Sequence, residues 1–259
     1  MKHSFSSAVV VVAIVLGVSL STLLGATNNA FARCAPAELV VTPSAKTVLP
    51  PNPTLYVFAP QKEPPQVRVK DGRGKKLRTT ITPLPSPPAY TAFAVRIESS
   101  APSELRVEMH ERKRPGTIVR RRYQVRPIDT AQPVSSDIAR PSHVMSKDET
   151  SDRWTCSYNE TANLTVDDWA PAYEVRWRDA QVEHSVVVPP RADAFFERDP
   201  ASSSTAKLEL GHVSCLGQTF EFTKTIDLRI VRLGVDGVAS TESSPITVEP
   251  PPKAPKDKR

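Results

Sequence analysis

The sequence predicts an all-β protein made of two antiparallel sandwiches. Apolar and β-branched residues alternate with a period of two in short segments along the whole chain, the pattern of strands with one buried face. Twenty-six prolines stand against nine glycines. Proline is tolerated at strand ends, edges and turns but breaks helix interiors, so short strands joined by stiff loops follow. The same scarcity of glycine excludes a dinucleotide fingerprint or a P-loop, which need glycines where the backbone approaches phosphate.

The first 32 residues read as an export signal. Lys2 and His3 precede an apolar run from Ala8 to Leu24, and Ala30-Phe31-Ala32 supplies small-x-small before a mature start at Arg33. The run is also close to the length of a membrane anchor, but the polar Thr27-Asn28-Asn29 favours cleavage, leaving no transmembrane span. Lipidation of Cys34 is discounted because Arg33 intervenes. The expected location is periplasmic or extracellular, and the mature 227 residues are enough for two domains.

Seven strands are predicted for the first domain, residues 33–127, the number a sandwich of this size needs. They cover Leu39–Thr42, Leu55–Phe58, Val67–Lys70, Lys76–Thr82, Tyr90–Ile97, Leu105–Met109 and Thr117–Val125. Asp71-Gly72-Arg73-Gly74 marks a hairpin turn whose glycines supply positive φ, and Arg114-Pro115-Gly116 marks another. The last strand places Ile118, Arg120 and Arg122 on one side and Val119, Arg121, Tyr123 and Val125 on the other. One face of the domain is expected to be wet throughout.

Residues 128–150 lose periodicity and carry Pro133 and Pro141 among polar residues, the composition of a stiffened linker. Alternation resumes over 151–249, at Trp154–Tyr158, Leu164–Val166, Ala172–Arg178, Glu183–Val188, Lys207–Leu210, Thr219–Phe222, Thr225–Leu233 and Ile246–Val248. Pro189 to Thr205 is a polar segment centred on Phe195-Phe196, and the Pro/Lys tail 250–259 is extended and solvated.

Three cysteines occur, Cys34, Cys156 and Cys215. In an exported chain two should be oxidised, and Cys156 with Cys215 is the expected disulfide. Closing that loop would stabilise by roughly 4 kcal/mol in the entropic model. A bridge from Cys34 into the second domain stays open, as does a free or intermolecular Cys34.

The run Thr42-Pro43-Ser44-Ala45-Lys46-Thr47-Val48-Leu49-Pro50-Pro51-Asn52-Pro53 leading into Leu55-Tyr56-Val57-Phe58 resembles the opening of bacterial secreted Ig-like modules, including CopC-like sandwiches. That copper family binds metal through a histidine at the mature N-terminus, whereas this chain has Arg33-Cys34 there, so no copper site is carried over. Cys156, Trp177 and Cys215 are similar to the cysteine–tryptophan–cysteine core of immunoglobulin domains, with Val213 where that family has a tyrosine. The resemblance implies two Ig-like antiparallel β-sandwich domains after the signal peptide.

Charge divides the halves. Residues 33–130 carry a balance of +10, residues 131–249 a balance of −8, and the tail adds +3. Lys70, Arg73, Lys75, Lys76 and Arg78 flank one hairpin, Arg112, Lys113 and Arg114 occupy another, and Arg120, Arg121, Arg122 and Arg126 line the last strand. Together these are the candidate binding surface for an anionic envelope polymer, a lipid headgroup or an acidic protein. Nucleic acid is disfavoured because Tyr90, Phe93 and Tyr123 are not interleaved with the clusters. Two other readings of the charge are solubilising strand faces and docking of the basic domain on the acidic one.

No catalytic motif is recognisable. His110, His143, His184 and His212 are isolated, no serine sits in a Gly-x-Ser-x-Gly elbow, and Asp167-Asp168 and Asp236-Gly237 read as turns rather than calcium loops. Neither metal nor cofactor is expected. The expected function is non-catalytic binding or scaffolding. The alternatives are a secreted hydrolase with a site around Pro189–Thr205 or His212, and an accessory subunit of an envelope assembly.

Overall fold

The computed structural model describes residues 39–60, 62–87, 90–98, 103–111, 118–127, 143–149, 158–167, 169–190, 205–213, 217–218 and 224–249. Among them there are strands and no helix. The first seven are β1 (Val40–Thr42), β2 (Thr54–Ala59), β3 (Gln66–Asp71), β4 (Arg78–Leu84), β5 (Thr91–Glu98), β6 (Glu104–His110) and β7 (Ile118–Gln124). They follow the order β1-β2-β5-β4 in one sheet and β3-β6-β7 in the other, all antiparallel. First, second, fifth and fourth strands against third, sixth and seventh is the immunoglobulin constant-type arrangement. The all-β, Ig-like expectation holds on topology.

Alternation builds this sandwich. Leu55, Val57 and Ala59 of β2, Phe93, Val95 and Ile97 of β5, and Leu105, Val107 and Met109 of β6 all point between the sheets. Tyr123 of β7 is 1% exposed and donates its hydroxyl to the Pro43 carbonyl at 3.0 Å. The β3–β4 crossing is held by Asp71, whose Oδ1 accepts the Arg73 and Lys75 amides at 3.0 and 2.8 Å, with Gly74 at φ 86°. After this turn the chain still pairs with β3, through Lys70 opposite Lys76 and the Leu77 amide on the Val69 carbonyl. It then switches sheets as β4.

The second sandwich comprises β8 (His143–Glu149), β9 (Tyr158–Asp167), β10 (Ala172–Asp179), β11 (Val182–Val188), β12 (Thr205–Val213), β13 (Gly217–Gln218), β14 (Ile226–Leu233) and β15 (Ile246–Val248). Its sheets run β11-β10-β14-β15 and β13-β12-β9-β8. Leu164, Tyr173, Val175, Leu208, Leu210, Leu228 and Ile230 fill the space between them, with Trp177 packed at the margin. Part of the segment expected to be linker is a strand: β8 pairs with β9 from His143 opposite Leu164 to Glu149 opposite Tyr158. An edge strand gains its hydrogen bonds from one neighbour and needs little apolar alternation, so periodicity passed over it.

The wet face expected from the last strand is exposed at Ile118, Arg120 and Arg122 of β7, but the β2–β5 side of the first sandwich is not. All six residues of β2 are buried, because the side facing away from the core is covered by the second sandwich. Tyr56, Phe58 and Ala92 pack there against Ala172 and Val187, with Leu84, Tyr90, Ala94 and Leu233 at the rim. Polar contacts frame the joint: Thr42 Oγ1 to the Pro171 carbonyl (2.6 Å), Tyr56 Oη to the Gly234 carbonyl (2.9 Å) and the Thr54 amide to the Val235 carbonyl (2.7 Å). Val187 on edge strand β11 has both main-chain groups engaged, its amide on the Pro85 carbonyl at 2.8 Å and its carbonyl on Tyr90 Oη at 3.1 Å. The Asp236-Gly237 segment is a turn that inserts against Thr54.

Candidate functional site

The face of β3-β6-β7 turned away from the core carries six cations, Arg68, Lys70, Lys76, Arg106, Arg120 and Arg122, and two carboxylates, Glu104 and Glu108. Residues paired across an antiparallel ladder project to the same side, so register sorts these charges into rows. One row reads Lys76, Lys70, Arg106, Arg122, four exposed cations on four adjacent chain segments with no acid among them. The next row reads Arg68, Glu108, Arg120, and the one beyond it Gln66, His110, Ile118.

Each row has its own electrostatics. Arg106 is held in place, its Nε donating to Glu104 Oε1 at 2.8 Å and its Nη2 to the Gly72 carbonyl at 3.4 Å. Among the described residues Lys70, Lys76 and Arg122 form no ion pair. Glu108 is shared, with His110 Nε2 at 2.7 Å and Arg120 Nε at 3.7 Å from its oxygens. The hydrogen bond with His110 first, then the charges of Arg120 and Arg68, hold the Glu108 carboxyl below the usual range. The hydrogen bond from Arg106 does the same for Glu104, assisted by the charges of Arg106 and Arg122. A shallow depression of about 550 Å³ runs over the face between Lys70 and Arg122. A second of about 440 Å³ lies at the β7 edge, lined by Lys46, another exposed cation, with Arg122, Glu104 and Gln124.

The residues singled out from sequence are therefore distributed unequally. Lys70, Lys76, Arg120 and Arg122 share the face, and Arg73 and Lys75 are exposed in the turn at its end. Arg121 projects to the other side of β7, in register with Val107, and its Nε is buried. Arg78 belongs to the other sheet, opposite Glu98. Arg126 follows β7, its Nη2 3.4 Å from Gln124 Oε1. Arg112, Lys113 and Arg114 lie outside the described residues, as do Cys34, Cys156 and Cys215 with their expected disulfide. The leader and most of Pro189–Thr205 also lie outside them. Sequence reasoning missed Arg68 and Arg106. Their positions in the predicted strands, two residues from Lys70 and one from Leu105, were the signal that could have found them.

The second sandwich has a polar concavity of about 480 Å³ at the far end of β10 and β14. Several of its charges are engaged with one another: Arg176 contacts Glu174 at 2.8 Å and Glu242 at 3.5 Å, Arg229 contacts Glu242 at 3.0 Å, and Lys224 pairs with Asp179. His184 stacks on Trp177, ring centroids 5.3 Å apart at 15°. The His143 and His212 side chains lie outside what is described. Among the described residues no group of three metal-ligating side chains converges, and no helix is long and apolar enough to cross a membrane.

No protein-family model and no curated protein matches the chain. Among solved structures it is similar to the tandem Ig repeats of Dlar, at 10% identity and TM-score 0.24, over 82% of this chain and 99% of that one. It is also similar to bovine butyrophilin, at 13% identity and TM-score 0.22, over 84% and 97% of the two chains. A pullulanase from Anoxybacillus sp. LM18-11 complexed with maltotriose gives 9% identity and TM-score 0.23 over 80% of this chain. This chain spans about a quarter of that pullulanase. The fold assignment rests on the strand order and register described above.

Proposed function

We propose that the chain is an exported, non-catalytic binding or scaffolding protein of the cell envelope or extracellular space, and that it contacts an anionic partner through the outer face of β3-β6-β7. The observation that carries this reading is the acid-free row Lys76–Lys70–Arg106–Arg122. Like charges directly opposite one another on a ladder are destabilising, so the arrangement costs the free protein stability that an anion would return. Position supports the same reading. The second sandwich docks on the β2–β5 sheet through apolar side chains and leaves the basic face uncovered by that contact. Export rests on the leader read in the sequence.

Retention on immobilised dextran sulfate across a salt series tests the proposal. Expected is strong retention at low salt that fades steeply as salt rises, through screening and displacement of counterions. Lys70→Gln, Arg106→Gln and Arg122→Gln together should abolish it, whereas Arg176→Gln, Arg229→Gln and Lys224→Gln in the second sandwich should not. Equal loss from both triple variants would overturn the assignment of the face.

A further inference from the structure

We infer that the row recognises a linear polyanion without aromatic groups, a carboxylated polysaccharide of the polyuronate kind, lying across the strands rather than along them. This inference rests on the proposed function and adds the class and direction of the ligand. Adjacent paired segments lie about 4.8 Å apart, so the row presents four cations over roughly 14 Å at one per segment. Along a strand, same-side residues recur only every ~6.8 Å. In that direction each line of cations soon meets a carboxylate or a neutral residue: Arg106 lies between Glu104 and Glu108, and Arg122 is followed by Gln124. A chain with one charge per sugar therefore finds an unbroken line of partners only across the strands. Lys46 shares the depression at the β7 edge with Arg122 and with Glu104.

The chemistry of the face selects among polyanions. Phe, Tyr and Trp are absent from the outward positions of β3, β6 and β7, which removes the stacking platform that single-stranded nucleic acid uses. Ile118 is the one large apolar side chain exposed there, too little to insert into a lipid interface. Arg106, with its guanidinium fixed by Glu104 and Gly72, keeps its Nη1 edge for a carboxylate, and a pre-set guanidinium loses little freedom on binding.

The test uses the full chain and oligogalacturonides of one, two, four and eight residues, with affinities measured by calorimetry at fixed salt. Expected is affinity that climbs with each residue up to about four, the number of cations in the row, and only weakly after that. Lys70→Gln with Lys76→Gln should lower affinity for the octamer by ten-fold or more and move the plateau to two residues. Arg68→Gln with Arg120→Gln, which removes the same charge from the next row, should lower it by less than three-fold. Melting temperature separates folding from binding: the Lys70/Lys76 pair should melt no lower than the parent, since it removes a like-charge contact. Equal losses from the two double variants would overturn the row while leaving an anion-binding face intact. Tighter binding to phosphatidylglycerol vesicles or to an acidic protein than to the octamer would overturn the ligand class. Failure to bind any polyanion would overturn both this inference and the function on which it rests.

Discussion

Replacing Phe58 by alanine tests whether the two sandwiches are thermodynamically coupled. Phe58 is 3% exposed, and its ring belongs to the cluster between the sandwiches, while its neighbours Val57 and Ala59 face the first core. Truncating a buried phenylalanine costs about 3–5 kcal/mol. Its edge-to-face contact with Tyr90, centroids 5.5 Å apart at 84°, belongs to a class worth about 0.5–1.5 kcal/mol beyond area burial. In a domain of about 60–100 residues each kcal/mol lowers the melting midpoint by about 4–8 °C, so the less stable sandwich should fall by on the order of 12 °C or more. Differential scanning calorimetry reads this directly. For Phe58→Ala the trace should resolve into two transitions with the lower one displaced, whereas Val57→Ala, which damages the first core, should displace the transition of the first sandwich itself. A single transition moved by no more than about 2 °C would refute the coupling, because it would correspond to well under 1 kcal/mol.

Other expectations concern the same joint and the charged faces. Tyr56→Phe removes the hydrogen bond to the Gly234 carbonyl and should cost about 0.5–1.5 kcal/mol in urea unfolding; an unchanged midpoint would contradict a closed joint. Gly237→Ala should cost about 1–3 kcal/mol, because the residue sits at φ 80° and its new Cβ would lie 2.7 Å from Thr54 Oγ1; a variant as stable as the parent would show that the turn does not seat on β2. Glu104, Glu108 and Asp179 have folded-state pKa values below their ordinary ones, each chiefly through a side-chain hydrogen bond, from Arg106, His110 and Lys224 respectively. Such groups add stability above the ordinary carboxylate range and lose it as pH falls through the depressed values. Melting temperature followed from pH 7 downward should therefore hold and then drop below that range, with a smaller drop in Glu108→Gln. Anion retention should rise over the same acidic interval as Glu104 and Glu108 lose charge. A fall there would indicate that the carboxylates, rather than the cations, face the partner.

Most strands of the first sandwich were legible because they alternate against one core. Val67, Val69, Leu105, Val107 and Met109 announce their side by spacing alone, and Asp71 and Gly74 announce the turn between strands. The joint was not legible for the same reason. Leu55-Tyr56-Val57-Phe58 is a continuous apolar run, the mark of a strand buried on both faces, but the run does not say what covers its second face. The basic surface was partly legible: clustering in sequence found Lys70, Lys76 and Arg122. Clustering also gathered Arg78 and Arg121, which the sheet switch and the pleat send elsewhere. Arg68 and Arg106 stand alone among apolar neighbours, and only register brings them into the face.

That register gives one small sandwich two outer faces of opposite character. In β2 and β5 the outward residues Tyr56, Phe58, Ala92 and Ala94 are apolar or small, so this sheet can lie flat against Ala172, Val187 and Leu233 and bury its edge contacts. In β3, β6 and β7 most outward residues are long and charged, and the cross-strand cations resist close approach by another sheet. Swapping the two surfaces would leave buried unpaired guanidinium groups at the joint, a cost of several kcal/mol each, and would expose Tyr56 and Phe58. The apolar sheet therefore dictates which side the second sandwich takes. The orientation of the basic row toward solvent follows from it, since the two sheets of a sandwich necessarily present opposite faces.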